Sequence, residues 1–507
     1  MMTGEASLLD VLSGGVSVAA QNPYPRFRLD GRGWRALAEN LLAADWSLIA
    51  QWAEPGEVHA AFRDEASGEI AVASHPCPGG SFISLGAARP GAIRLERAIH
   101  DLWGLVPVGL EDQRPWLDHG RWPSLYPLAS APKPPPDDPY GYAFLAAEGE
   151  GLHQIPVGPV HAGVIEPGHF RFHAQGEVVV RLEERLGYVH KGLAGLMRGA
   201  PLDKAARLAG RLSGDSTVAH ALAFARAVEA AAGLEAPPRA QWLRGLMAEL
   251  ERIANHVFDI GAICNDAAFA IMLSHMGVLR ERILAANATL FGHRLLMDKV
   301  VPGGVAADLP PEGMTVLPAL FKMLRKDFNR AVKLYNETPS LLDRTTGTGM
   351  VHGSLVHRYG AGGFVGRAAS RGHDARKLPG YPPYDQFDFP VPVLSEGDVH
   401  ARIEIRIAEV RASLLLLGQI LADLPPGPVR TDVPVRAGEG LAVAESFRGE
   451  VLAWVRLAED GTVAASHLHD PSWFQWPLLE VAIKGNIVAD FPLCNKSFNC
   501  SYSGQDS

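Results

Sequence analysis

Thiols are scarce in this chain. Its 507 residues include four cysteines, Cys77, Cys264, Cys494 and Cys500, and none are paired at C-x-x-C spacing. That pattern supports neither a zinc site nor an iron–sulfur cluster, and sparse thiols fit a reducing compartment. Long apolar runs are missing too. No window reaches the roughly 18 apolar residues of a spanning helix: Leu414–Leu417 is too short, and Glu480 and Lys484 interrupt the last apolar stretch. The N-terminus lacks a basic region followed by an apolar run, so no signal peptide is expected. Basic residues do not prevail: the formal net charge is −9, which argues against a nucleic-acid binder. No G-x-x-x-x-G-K-[ST] or G-x-G-x-x-G follows a predicted strand, which weakens any phosphate-cradle reading.

What is present is an ordinary globular mixture, 47% hydrophobic and 20% charged, in a chain long enough for two or more domains. Residues 1–127 read as a small α/β domain. Trp34–Leu42 has a helical pattern, and Trp46–Trp52, Val58–Arg63, Ile70–Ser74 and Phe82–Leu85 read as short strands between Gly, Pro and Asp. A helix follows at Arg94–Leu102. Leu128–Gly141 (LASAPKPPPDDPYG) opens a Pro-rich linker assigned to residues 128–150. From 151 to 507 the pattern is mainly helical. A hairpin turning at Gln175-Gly176 comes first. Long helices are predicted at Ala240–Ile263, Leu273–Met297, Gly313–Glu337 and Gly397–Leu421. Val451–Leu457 and Val463–His469 form a late strand pair. The predicted class is α+β: a small α/β N-terminal domain plus a large, mainly helical domain with small peripheral β-sheets.

The chemistry concentrates in Lys204–Gly233 (KAARLAGRLSGDSTVAHALAFARAVEAAAG). Leu208, Leu212, Val218, Leu222, Ala225 and Val228 recur at helical spacing. Between them sits a polar knot, Ser213-Gly214-Asp215-Ser216-Thr217, with His220 one turn on. A Gly within a helix costs about 1 kcal/mol, so one reading is a helix break turned to solvent. The other is a site.

The motif R-x-S-G-D-S-x-x-A-H resembles the R-x-C-G-x-C-x-x-x-H element of nickel–iron hydrogenase large subunits. Ser213 and Ser216 stand at its first two nickel-binding cysteines. Phe498-Asn499-Cys500-Ser501-Tyr502-Ser503 falls at that family's D-P-C-x-x-C. Gly158-Pro159-Val160-His161, Glu166-Pro167-Gly168-His169-Phe170-Arg171 and Gly187-Tyr188-Val189-His190-Lys191-Gly192 are similar to the entry segment of hydrogenases and complex I. Leu250–His256, Asp259–Asp266, Asp343–Gly349 and Asp374-Ala375-Arg376, with Tyr384, Asp385 and Asp388, continue the likeness. Glu96–Leu105, with Arg114–Leu117, resembles the small hydrophilic complex I subunit. Over nearly its whole length the chain thus resembles the superfamily of hydrogenase large subunits and the complex I quinone-pocket subunit. It is most similar to hydrogenase 4 and formate hydrogenlyase large subunits, with a fused small hydrophilic domain.

The resemblance implies the hydrophilic large subunit of a membrane-associated, energy-converting oxidoreductase complex, related to NAD-linked, NADH–quinone oxidoreductases. Electrons would come from iron–sulfur clusters in a partner small subunit and be coupled to proton movement. Membrane subunits would hold the chain on the cytoplasmic face of the inner membrane. An active nickel–iron hydrogenase subunit and a non-catalytic scaffold with a vestigial site are the rival readings. A nickel–iron centre needs soft thiolates. Here Ser213, Ser216 and Ser503 leave Cys500 as the single thiol, so no nickel–iron centre, and no cofactor on this chain, is expected. The chain's ending soon after Ser503 implies manufacture without the cleaved extension of nickel-bearing relatives. Quinone is the remaining cofactor to consider, although the tyrosine position of the complex I head-group site is Gly214 here and the histidine position falls near Pro167.

Glu166, His169 and His220 are candidate members of a proton relay, since His titrates near neutrality and burial raises a Glu. Structural hydrogen bonding is the alternative for each. Arg376 is expected to be partly buried in a pocket or interface charge cluster, paired with Asp343, Asp385 or Asp388. Glu96, Arg97 and Asp101 read either as a solvated helix face or as a face for docking a subunit.

Overall fold

The computed structural model describes residues 7–135 and 141–507, so residues 136–140 of the expected linker lie outside it. The N-terminal region builds a five-stranded sheet in the order Val16–Ser17, Arg26–Arg28, Ile70–Pro76, Glu57–Asp64, Trp46–Glu54. Its three longer strands have no wet face. All nine residues of Trp46–Glu54 are buried. Successive residues of a strand point to opposite faces, and here each face meets a different core. Ala61, Ile70, Val72 and Trp52 join the core of the helical half. Val58, Ala60, Phe62, Ala71 and Ala73 join a second core shared with the C-terminal tail. The sheet is therefore a wall between two cores.

Polar pairs and one strand cross the same boundary. Gln21–Asn22 adds in parallel to Gly438–Glu445 of the C-terminal sheet. Arg63 reaches Glu450 at 2.7 Å and Arg371 reaches Glu65 at 2.8 Å. The helix Ala92–Trp103 ties in through Arg94, 3.1 Å from Glu184 and 2.9 Å from Glu480. Its Glu96, Arg97 and Asp101 are buried rather than turned to solvent or to a partner, which corrects both readings of this face. Glu96 accepts from the Leu85 amide at 2.7 Å and from Gln51, and burial pushes its carboxyl up to about 7. Asp101 accepts from the amides of Trp116 and Leu117, and Arg97 pairs with Asp112. These charges hold the following loop in place.

The helical half is organised around Pro238–Asp266, which packs on Ala270–Phe291 and Val399–Ala422. Gly313–Asn336 completes the group of long helices. The hairpin His169–Gln175/Val178–Arg185 turns at Gly176, with φ +58°. The C-terminal sheet, Gly438–Glu445, Glu450–Leu457 and Val463–His469, carries the helix Thr217–Ala232 across its face. That approach is very close. A Cβ on Gly440 would lie 1.9 Å from the Ala227 carbonyl oxygen, and one on Gly438 would lie 2.1 Å from that of Ala231. Glycine in the strand and alanine along the helix let the two backbones meet.

The stretch Lys204–Gly233 is two helices, Leu202–Ala209 and Thr217–Ala232, joined through the short 3-10 turn Gly214–Ser216. The break is real, but it is buried: Ser213, Ser216 and His220 are at most 2% exposed. No helix among the described residues is long and apolar enough to cross a membrane.

Candidate functional site

Ser213 has extended backbone (φ −140°, ψ 117°), and its hydroxyl caps no amide of the turn that follows. The hydroxyl donates to Asp215 Oδ1 at 2.9 Å and lies 2.7 Å from Ser501 Oγ. Ser501 Oγ is in turn 3.4 Å from Ser503 Oγ and accepts from the Gly504 amide at 2.9 Å. The chain's last turn thus seats itself on the helix break by hydroxyl-to-hydroxyl contacts. Asp215 is clamped by Arg448, at 2.7 Å from one guanidinium nitrogen. Burial opposes charge on Asp215, but the guanidinium outweighs it and holds the carboxyl below its usual range.

His220 projects from the first turn of Thr217–Ala232 onto Asp470, Nε2 to Oδ2 at 2.9 Å, with both side chains 1% exposed. Asp470 also accepts from the Ser472 amide at 2.8 Å, and Ser472 Oγ accepts from the Ser501 amide at 2.8 Å. Burial works against the Asp470 charge, yet His220 and Arg448 hold it well below the usual carboxylate range. Under the helix start, Glu251 accepts from the amides of Val218 (2.7 Å) and Ala219 (3.1 Å). Burial pushes this carboxyl up to about 8, so it holds a proton at neutral pH.

The other predicted residues divide among three places. Glu166 is exposed and caps the tail, accepting from the Ser503 amide at 2.9 Å. His169 stands apart: its ring nitrogens meet the Gly158 carbonyl and Arg171 Nε, both at 3.3 Å, and neither reaches His220. Cys500 is buried in the second core, and burial pushes its thiol well above its usual range. Ser216 is fully buried, and its hydroxyl has no hydrogen-bond partner among the described residues. Tyr502 meets His161 at 3.0 Å, and the Asp506 carboxyl accepts from the amides of Gly187 and Val189, so the tail also closes over the entry segment.

Arg376 is buried, but away from this network and with other partners than expected. It binds Asp374 at 2.6 Å and Glu249 at 3.0 Å, while Asp343, Asp385 and Asp388 are exposed. Glu249 comes from the middle of Pro238–Asp266 and is shared with Tyr384 and Ser413. Arg448, Asp470, Ser501 and Glu251 are the members of the site that sequence reasoning did not single out. Ser501 had a signal in its place between Cys500 and Ser503, and Glu251 in its place within the Leu250–His256 motif.

The donor set does not fit a nickel–iron centre. Serine hydroxyls are hard and stay protonated near neutral pH. Ser213 is already bonded to protein on two sides, and the one thiol is driven by burial away from the thiolate form. A quinone head group bound in the complex I manner is not rebuilt either. Gly214 offers no side chain, and both His169 ring nitrogens are engaged.

Comparison with known proteins gives a consistent pattern. The family described as respiratory-chain NADH dehydrogenase, 49 Kd subunit, matches residues 266–436. Formate hydrogenlyase subunit 5 of Escherichia coli (strain K12) is 29% identical over 430 residues, covering 82% of this chain and 75% of the relative. An NADH-quinone oxidoreductase subunit of Roseiflexus sp. (strain RS-1) is 35% identical over 354 residues, 66% of this chain and 94% of the relative. Among solved structures, a chain of the membrane-bound sulfane sulfur reductase, an archaeal respiratory membrane complex, aligns with a TM-score of 0.67 at 25% identity. That alignment covers 71% of this chain and 99% of that one.

Proposed function

Because the chain belongs to the family of the 49 Kd subunit of respiratory-chain NADH dehydrogenase, we propose that it serves as the hydrophilic large subunit of a membrane-associated, energy-converting oxidoreductase complex. Hydrogenase 4, formate hydrogenlyase and NADH-quinone oxidoreductase subunits are among its relatives. Electrons arrive through iron–sulfur clusters of a partner small subunit. Membrane subunits anchor the chain at the cytoplasmic face of the inner membrane, and the isolated chain is inactive. Residues 1–127 act as the built-in counterpart of a small docking subunit, and residues 151–507 as the large-subunit body.

One observation carries the reading of the site: the Ser213 hydroxyl is bonded to Asp215 and Ser501, where a metal ligand would have to be free. The work left to the site is protonic. The His220–Asp470 pair joins the Ser472–Ser501–Ser213 chain of hydrogen-bonding groups, with Glu166 at the exposed end, and a proton-holding Glu251 accepts from the amides that start the helix carrying His220. His169 belongs to a separate position on the entry hairpin. The test is purification of the native complex with its iron–sulfur and membrane subunits, followed by hydrogen- and quinone-linked assays. Electron transfer that slows in Asp470→Asn while the complex stays assembled supports the reading. Full turnover in that variant leaves the chain a scaffold.

A further inference from the structure

A cleft of about 370 Å³ lies where the strand Gln21–Asn22 joins the C-terminal sheet, with no member of the serine network in its lining. That volume is in the range of small-molecule sites. Tyr24 comes to it from the N-terminal region, Arg226 from the helix Thr217–Ala232 and Gln241 from the start of Pro238–Asp266. Leu222, Leu441 and Pro382 supply apolar wall between them.

Arg226 is partly buried, and among the described residues no carboxylate pairs with it. Its Nη1 donates to the Val443 carbonyl, and the Tyr381 ring lies 4.3 Å from the guanidinium carbon. Neither contact carries a negative charge. Nε and Nη2 have no acceptor among the described residues yet stay accessible, and the space beside them is the cleft. Burial lowers the pKa of this guanidinium, but arginine stays charged in proteins, and a charge taken out of water calls for a counter-charge. The other charges of the lining do not supply it. Glu229 is taken by Arg244 at 3.0 Å and by the Gly303 amide at 2.8 Å. Glu235 is exposed, at the rim, where water and salt screen it. The Tyr24 phenol and the Gln241 side-chain amide also lack partners among the described residues, and both can donate to an oxygen.

We propose that this cleft binds a small organic monocarboxylate, its carboxylate on Nε and Nη2 of Arg226 and its apolar end against Leu222 and Leu441. The planar guanidinium fork matches two carboxylate oxygens. One negative charge balances the one unpaired arginine. A dianion such as phosphate would bring a second charge toward Glu235 and leave the apolar walls unused. Because Tyr24 precedes the linker and Arg226 follows it, the bound molecule touches both halves of the chain.

The experiment is a calorimetric titration of the full chain with benzoate, a small monocarboxylate with an apolar body. One saturable site is expected, with no competition from equimolar benzamide, its uncharged counterpart, or from inorganic phosphate. Arg226→Gln should weaken benzoate about tenfold or more, the worth of a hydrogen bond to a charged group. Gln241→Glu, which sets a second acid in the cleft, is expected to abolish binding. It sits at a partly exposed position, so it decides the matter even where Arg226→Gln fails to fold. Circular dichroism establishes that each variant is folded. Gln419→Glu, the same change at an exposed position of Val399–Ala422, is the control and should bind as the parent does. The proposal is overturned by no saturable binding to folded parent protein, by equal binding of benzamide, by displacement with equimolar phosphate, or by unchanged affinity in folded Gln241→Glu.

Discussion

Arg376 and Glu251 represent two ways in which a buried charge can be handled here. Arg376 is 2% exposed and holds Asp374 and Glu249, whose side chains are 1% and 0% exposed. Removing the guanidinium takes the nearest cation from two buried carboxylates, leaving Asp374 with Arg367 at 3.6 Å and Glu249 with Arg252 at 3.4 Å, and breaking such a pair costs about 3–5 kcal/mol. Arg376→Ala should therefore lower the urea midpoint strongly. Arg376→Lys should recover only part of it, since the planar fork serves both acids. An unchanged midpoint in the alanine variant would contradict the arrangement. Glu251 is handled instead by protonation. Its folded carboxyl is raised to about 8 from the ordinary 4.5. The folded state thus binds a proton that the unfolded chain has released, and stability falls as pH rises between those values and levels off above them. Glu251→Gln cannot ionise. Its stability relative to the parent should climb from pH 5 to about 8 and then stay constant. A difference that does not change with pH would show that Glu251 is ionised throughout. Arg376 also shows the limit of sequence reading at this scale. Its burial was legible from a charge set among glycines, but Glu249 lies 127 positions away on a helix whose pattern gives no sign of which acid turns inward.

At the scale of elements, the long helices and the strand pairs were legible because apolar period and Gly/Pro boundaries agree. Pro238–Asp266 and Gly313–Asn336 fall within three residues of the sequence expectation. The burial of the Ser213 break was not legible. Its Asp215, His220 and Ser213 are partnered by Arg448, Asp470 and Ser501, all more than 200 positions away, and no local pattern announces them. Nor was the close seat of Thr217–Ala232 on the C-terminal sheet. That seat gives a sharp prediction. Gly440→Ala places a Cβ where the Ala227 carbonyl already lies, 1.9 Å away, and neither backbone can yield cheaply. It should destabilise the chain by about 1–3 kcal/mol or more and shift the His220 imidazole signals. Gly418→Ala, in Val399–Ala422 with nothing within 4 Å of the added atom, should stabilise by about 0.4–1 kcal/mol. Equal effects of the two substitutions on a thermal melt would contradict the close contact.

At the scale of the molecule, the α+β class and the resemblance over most of the chain were readable from ordered motifs. The manner in which the halves join was not. A period-two pattern reports that a strand has two faces, not that each face belongs to a different core. Because Trp52, Ile70 and Val72 complete the helical core, residues 1–127 and 151–507 produced as separate chains should co-purify as a one-to-one complex. Two independent, monomeric pieces on size exclusion would contradict the shared wall.

On the proposed reading, a hydrogen-bonded junction of Ser213, Ser501 and Ser503 stands in place of a metal site. Elemental analysis tests that most directly, on the complex produced with nickel and the hydrogenase maturation machinery present. The prediction is nickel far below one equivalent, with iron attributable to the partner subunit and unchanged in Cys500→Ser. Stoichiometric nickel that disappears in Cys500→Ser would contradict it.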